Sequence, residues 1–315
     1  MKISAPGKII LFGEHAVVYN RPALAVPVTQ VHADVEILDS LRRGIWIHAP
    51  VIDLHAELNS LPSDHPIASV ILKLFPTLGR PSPTGRGVGD EGGLEINITS
   101  TIPVASGLGS GAAVSIALIR ALGLHMDHPL TNEQVNELAY EIEKLHHGTP
   151  SGIDNTVIAY NMPVYFIKGQ PIETFETGRP FTIVIGDTGI PALTKESVGE
   201  VRRLWLEDAH HFENIFDEIA QVSLSARHAI ESGKPELLSE LMDQNHTLLQ
   251  ELTVSSPELD KLVIAAREAG ALGAKLSGGG RGGNMIALVE QARAESVAKA
   301  LISASARRTI ITEVS

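Results

Sequence analysis

Pro103-Val104-Ala105-Ser106-Gly107-Leu108-Gly109-Ser110-Gly111-Ala112-Ala113 is the most informative stretch of the chain. A strand enters it, glycines turn it, and an apolar small-residue helix over 112–124 leaves it. Glycine lets successive backbone N–H groups converge on a ligand. A helix N-terminus adds unpaired N–H donors and the positive end of its dipole. Together they suit a phosphate. No Gly-Lys-Ser/Thr follows, so the stretch is not a Walker loop. No early βαβ unit precedes it, so it is not a dinucleotide fingerprint either. Taken alone, it fits a tight structural turn as well as an anion site.

Two further segments share its character. Lys275-Leu276-Ser277-Gly278-Gly279-Gly280-Arg281-Gly282-Gly283-Asn284 holds five glycines in the six positions 278–283. Packing alone does not account for them, since each costs about 1 kcal/mol in a regular element. Arg281 can contact a phosphate or simply cap a surface turn. His147-Gly148-Thr149-Pro150-Ser151-Gly152-Ile153-Asp154-Asn155 follows a helix carrying Glu143. Asp154 in that turn suits a general base, a metal ligand or a helix cap.

Working outward, the N-terminus is strand-rich. Lys2–Ala5 and Ile9–Phe12 read as short strands broken by Pro6-Gly7, and Ala23–Val28 and Ala33–Leu38 as two more. Residues 79–93, with six glycines and two prolines, read as a surface loop. Leu94–Thr99 alternates like a half-buried strand. Thr131-Asn132-Glu133-Gln134 is a capping box opening a helix to about residue 145. Val164–Ile167 and Phe181–Ile185 are strand-like. The polar, turn-rich 168–180 between them is the expected domain boundary, giving domains 1–175 and 176–315. Beyond it the chain turns helical: Lys195–Ser232 (interrupted), Pro235–Leu252 and Pro257–Ala269 are amphipathic. Met285–Val289 reads as an apolar strand, then a last helix and a strand over Thr309–Val314 close the chain. No repeat is visible.

Composition narrows the function. The chain has 315 residues, ordinary hydrophobic content (43%) and a net charge of −12. That size fits two domains or one large α/β unit. The acidic balance argues against a general nucleic-acid or anionic-membrane binder. With no cysteine, disulfides, thiolate zinc sites and a cysteine nucleophile are excluded. No apolar run reaches the ~18 residues that span a bilayer. Without a signal-peptide pattern at the start, the expected location is cytoplasmic. His146-His147 suggests a zinc pair only superficially, since adjacent side chains do not share a helix face.

The order of the motifs says more than any one of them. Ala5-Pro6-Gly7-Lys8-Ile9-Ile10-Leu11-Phe12-Gly13-Glu14-His15, Pro103–Ala113 and Lys275–Gly283 resemble the three motifs of the GHMP kinase superfamily, in its order and across nearly the whole chain. Gly13-Glu14-His15-Ala16-Val17-Val18-Tyr19, the 147–155 segment and Asp187–Lys195 look like the mevalonate kinase branch. The resemblance implies an α+β, two-domain fold: a ribosomal-protein-S5-like N-terminal domain and a ferredoxin-like C-terminal domain. ATP and the acceptor would lie in the cleft between them. It implies transfer of the γ-phosphoryl group of ATP to the 5-hydroxyl of mevalonate. Another GHMP kinase, acting on phosphomevalonate or a sugar, is the alternative reading; an inactive GHMP-fold binding or regulatory protein is a more distant one.

The resemblance also implies roles. Asp154 matches the catalytic aspartate, and Lys8 the lysine that pairs with it near the transferred phosphoryl group. Glu143 matches the magnesium-binding glutamate. Pro103, Gly107, Leu108, Gly109, Ser110, Gly111 and Ala112 belong to the ATP phosphate loop, with Gly279 and Gly280 contributing from the third motif. Where the family commonly has two adjacent serines, this chain has Ser110 and Gly111, so Ser110 or water must serve Mg2+. Glu14, His15, Thr194 and, in support, Ser151 would face the acceptor, with His15 donating to a hydroxyl or carboxylate. Ala192 stands where an arginine is common, and Arg281 where glycine is. The expected adenine contacts fall between residues 40 and 75. The expected partners are mevalonate and ATP, with Mg2+, and neither nucleic acid nor membrane; a homodimer is left open.

Overall fold

The first strand, β1 (Lys2–Phe12), runs through Pro6 and Gly7 without a break in this computed structural model. The structure describes residues 2–78, 93–104, 106–147, 150–171, 173–192 and 194–315; the loop expected at 79–93 lies, but for Gly93, outside them. Among the described strands β1 pairs only with β2 (Ala23–Ser40). Its other edge has no ladder to break, which is where a strand tolerates proline. β2 is likewise one strand where the sequence suggests two. It pairs with later strands through Ala23–Ala25 and Ala33–Ser40, and Pro27 falls between the two registers.

The chain folds as two compact units that share β1 and β2: residues 1–7, 31–103 and 109–161 form one, and 8–30, 104–108 and 162–315 the other. In the first unit, β3 (Gly44–Ala49) pairs antiparallel with β4 (Leu54–Glu57). It also pairs parallel with β5 (Gly93–Ser100), which runs antiparallel to the second half of β2. Burial alternates as a one-sided sheet requires. Ile45, Ile47, Ile96, Ile98, Val35 and Ile37 are buried, while Trp46, His48, Glu95 and Asn97 are less so. Helices α1 (Pro66–Thr77), α2 (Ser110–His125), α3 (Asn132–His147) and α4 (Ile153–Tyr160) pack on one another. α2 is buried nearly all round, through Ala112, Ala113, Ile116, Ala117, Leu118, Ile119, Ala121 and Leu122, as an apolar helix must be. The capping box is present: Gln134 N–H donates to Thr131 Oγ1 (3.3 Å) and Thr131 N–H to Gln134 Oε1 (2.9 Å).

In the second unit, the start of β2 pairs with β6 (Val164–Phe166), which pairs with the two-residue β7 (Glu173–Thr174). β8 (Phe181–Asp187) is followed by α5 (Thr194–Glu207), α6 (Ala209–Glu231), α7 (Leu238–Glu251) and α8 (Pro257–Glu268). Asp208 breaks the long helical stretch and caps α6, accepting from His211 N–H at 3.1 Å. Then come β9 (Gly273–Ser277), β10 (Asn284–Val289), α9 (Ala294–Ser303) and β11 (Arg308–Val314). The sheet is wholly antiparallel, in the order β11-β8-β10-β9. That is the β-α-β-β-α-β pattern of a ferredoxin-like unit. β8, β9 and β10 are buried at every position, so a lysine at 275 on β9 is an anomaly with a cause.

Candidate active site

In the first unit the glycine turn delivers the N-terminus of α2. Gly109 takes a left-handed conformation (φ 74°) and no side chain caps the helix. The first-turn N–H groups of a helix have no partner within it, and no acidic residue occupies that turn. A Cβ added at Gly111 would meet nothing within 4 Å. Backbone donors, a dipole end and open space at Gly111 fit phosphate oxygens.

Asp154 is the second residue of α4, in a helix rather than the turn the sequence suggests. Gly152 (φ 88°) starts the helix, and Ser151 Oγ accepts from Ile153 N–H at 3.3 Å. The Ser151 hydroxyl thus helps to set α4. Asn155 anchors the other side, donating to Asn136 Oδ1 (2.6 Å) on α3. α3 also carries Glu143, half-buried like Asp154. His146 and His147 side chains, and residues 148 and 149, lie outside the described set. No group of three or more His, Asp and Glu side chains among the described residues forms a metal cage. Glu143 on α3 and Ser110 at the start of α2 carry oxygen donors of the kind Mg2+ takes beside waters and phosphate oxygens.

The second unit gathers the opening and closing motifs. Lys8 is 4% exposed, and its N–H donates to Leu108 O at 3.0 Å, tying β1 to the end of the phosphate loop. Asn284 Nδ2 donates to Ser106 O (2.5 Å) and fixes the same loop. Ser277 Oγ donates to Ile10 O (2.7 Å), joining β9 to β1.

Glu14 is 1% exposed. Its carboxylate is spent on a buried ion pair with Lys275 and on Asn245 Nδ2, which donates to Oε2 at 3.1 Å. Lys275 also donates to Leu276 O (2.6 Å) and lies 5.7 Å from the Phe12 ring centroid. Burial pushes the Glu14 carboxyl up and the Lys275 ammonium down; their mutual attraction opposes both shifts. The lysine opening the third motif is therefore the partner of the glutamate in the first. Nothing in its spacing announces this; its one sequence signal is a charge inside an otherwise apolar strand.

His15 follows at φ 61°, a left-handed position unusual for a non-glycine residue. Its Nε2 lies 3.0 Å from Gly279 O. Burial lowers its pKa to about 4, the Gly279 hydrogen bond opposes this, and the Arg281 charge adds to the lowering. The ring is neutral near pH 7. Its Nε2 faces a carbonyl and so carries the proton, leaving Nδ1 as an acceptor. With its N–H committed to Gly279 O, the ring offers Nδ1 as an acceptor, where the sequence suggests a donor. Thr194, exposed at the start of α5, sits against the same glycine: a Cβ at Gly279 would come within 2.8 Å of Thr194 Oγ1. Gly280 (φ 71°) packs on Val254 O, and Ala192 packs on Gly283. Glu14, His15, Thr194, Gly279 and Gly280 thus form one cluster, while Ser110, Glu143 and Asp154 lie on helices of the other unit, with Ser151 just ahead of α4.

Residues 67–161 match the GHMP kinases N terminal domain and residues 226–307 the GHMP kinases C terminal domain. A mevalonate kinase of Thermococcus gammatolerans is 37% identical over 99% of this chain and 95% of its own length. Among solved structures, L. major mevalonate kinase in complex with R-mevalonate superposes with a TM-score of 0.85 at 27% identity, covering 100% of this chain and 95% of that one. A Streptococcus pneumoniae phosphomevalonate kinase, at 17% identity, has a TM-score of 0.80 over 99% of this chain and 100% of its own, and shares the fold. The chain belongs to the GHMP kinase family, an ATP-using kinase of alcohol acceptors whose curated relatives are mevalonate kinases.

Proposed function

We propose that this chain phosphorylates mevalonate on its 5-hydroxyl, converting ATP to ADP. The observation that carries the reading is the likeness to mevalonate kinases over essentially the whole length. In this reading Asp154 accepts the proton of the attacking hydroxyl. The oxygen bonds to the γ-phosphorus as the bond to the bridging β,γ-oxygen breaks, and ADP departs. Lys8 supplies positive charge to the transferring group. Backbone donors of residues 107–112 hold the phosphates, with Pro103 shaping the entry to the turn and Gly279 and Gly280 adding the third-motif contact. Glu143 and Ser110 would hold Mg2+, which would supply positive charge against that of the phosphates. His15 Nδ1 and the Thr194 hydroxyl orient the acceptor, with Ser151 setting the start of α4. Residues 1–175 and 176–315 act as the two domains of this cycle, and the cytoplasm is the compartment where ATP and such an acid meet.

The test is ADP release with Mg-ATP over a panel of acceptors: mevalonate, phosphomevalonate, galactose, homoserine and none. Release specific to mevalonate is the expected result. Release with another acceptor keeps the chemistry and discards the substrate. Silence with all, in protein that binds ATP, contradicts the reading.

A further inference from the structure

The acceptor cluster poses a charge problem that rests on the proposed acceptor. Mevalonate carries a carboxylate at the end opposite its 5-hydroxyl, and recognition of a carboxylate calls for a cation, best a guanidinium. Lys275 is wholly buried against Glu14. The His15 ring is neutral at pH 7, and its N–H is committed to Gly279 O. Position 192 is an alanine packed on Gly283.

Arg281 has what the others lack. It is exposed, two residues beyond Gly279. The glycines around it press the loop onto the segment that leads to Thr194: Gly283 N–H donates to Ile190 O at 2.8 Å, and a Cβ at Gly282 would lie 2.8 Å from the same oxygen. Arg281 N–H donates to Val254 O (2.8 Å), and Nε is 3.3 Å from Thr253 O. Its Nη2 also donates to Thr253 Oγ1 (3.4 Å), so the guanidinium lies over the Thr253 turn, and its charge is felt at the His15 ring and at Glu200 on α5. Glu200 is itself taken up by Arg203, at 2.7 and 3.1 Å, so it does not neutralise Arg281. Arg281 also sits at φ 56°, a backbone position that glycine occupies without strain and a long side chain does not. The neighbouring positions with positive φ in this loop, 278, 280, 282 and 283, are all glycine. A strained arginine among them is a functional signal.

We propose that Arg281 is the guanidinium that binds the acceptor's carboxylate, a specificity residue for an acid over the corresponding alcohol. The test is steady-state kinetics of the wild type, Arg281→Gly and Arg281→Lys. The acceptors are R-mevalonate and 3-methylpentane-1,3,5-triol, which replaces the carboxylate by a hydroxymethyl group. Glycine at 281 relieves backbone strain, so the variant folds and its Tm holds. The expected result is a KM for mevalonate raised about tenfold or more, the loss of a charged hydrogen bond, with KM for ATP unchanged. Wild type prefers mevalonate to the triol in kcat/KM; Arg281→Gly loses that preference, and Arg281→Lys keeps part of it. An unchanged KM for mevalonate, or an equal rise for mevalonate and triol, overturns the assignment while leaving the proposed function intact. A wild type that turns over neither acceptor overturns both.

Discussion

The Glu14 carboxylate and the Lys275 ammonium form an ion pair in which both side chains are completely buried. A pair of this kind is weak evidence for stability, because desolvating both charges offsets much of their attraction. Removing one partner is another matter, since it strands the other charge. Lys275→Met is expected to destabilise the fold by about 3–5 kcal/mol. The double variant Glu14→Leu/Lys275→Met is expected to recover most of that loss. It should not recover acceptor binding, because Glu14 holds the turn that presents His15 against Gly279. Thermal unfolding together with KM for mevalonate checks this. A double variant with wild-type KM would reduce the pair to a packing feature.

Acid sensitivity follows from two histidines. Burial lowers both His15 and His246 to about 4. His246 Nδ1 accepts from Leu276 N–H (3.3 Å), and Nε2 lies 3.2 Å from Asp260 Oδ1. Unfolded, each takes up a proton near pH 6.5; folded, neither does until about 4. Between those values the unfolded state binds more protons. Stability is therefore full above 6.5 and falls as pH drops towards 4, by roughly 3 kcal/mol per histidine. Urea unfolding from pH 7 to 4.5 measures the slope. His246→Asn, which keeps an acceptor for Leu276 N–H, is expected to flatten it by about half. An unaltered slope would contradict the assignment.

Two glycines separate shape from chemistry. Gly280 lies at φ 71°, and a Cβ there would meet Val254 O at 2.0 Å. Gly280→Ala is expected to cost about 1–3 kcal/mol and to disturb the loop that His15 grips. Gly111 opens into free space. Gly111→Ser is expected to leave stability within about 0.5 kcal/mol, or to raise it slightly through helix propensity. Tm values for the two variants, side by side, decide the contrast.

Asp154→Asn is expected to lower kcat by orders of magnitude with ATP binding nearly unchanged, because the amide cannot take the proton of the attacking hydroxyl. Single-turnover kinetics and ATP titration separate the two effects. Near-wild-type turnover would remove Asp154 from the role.

The parts legible in the sequence are those with local causes. The phosphate turn, the third glycine loop and the Thr131–Gln134 capping box each depend on residues close together in the chain, and the alternation of 94–99 emerges as β5. What eluded the sequence depends on distant partners. Pro6-Gly7 reads as a strand break, yet β1 runs through it, paired among the described strands on one side only. β3, β4 and α1 went unrecognised although Gly44–Ala49 alternates and Pro66–Thr77 is largely apolar: the two strands are only six and four residues long, and pairing with β5 and with each other supplies their order. Glu14 reads as a residue facing a ligand, whereas its carboxylate is consumed by a lysine 261 positions away. Asn245, which holds that carboxylate, carries no motif at all, and Asn284, at the end of the third glycine segment, gives no sign that it holds the phosphate loop.

The central claim is that one phosphoryl group moves from ATP to the 5-oxygen of mevalonate. Product analysis by phosphorus NMR, with purified protein, Mg-ATP and R-mevalonate, tests it most directly. The account predicts one phosphomonoester, coupled to the C5 methylene protons and formed in equal amount to ADP. ADP with only inorganic phosphate, or a phosphate on any other oxygen, would contradict it.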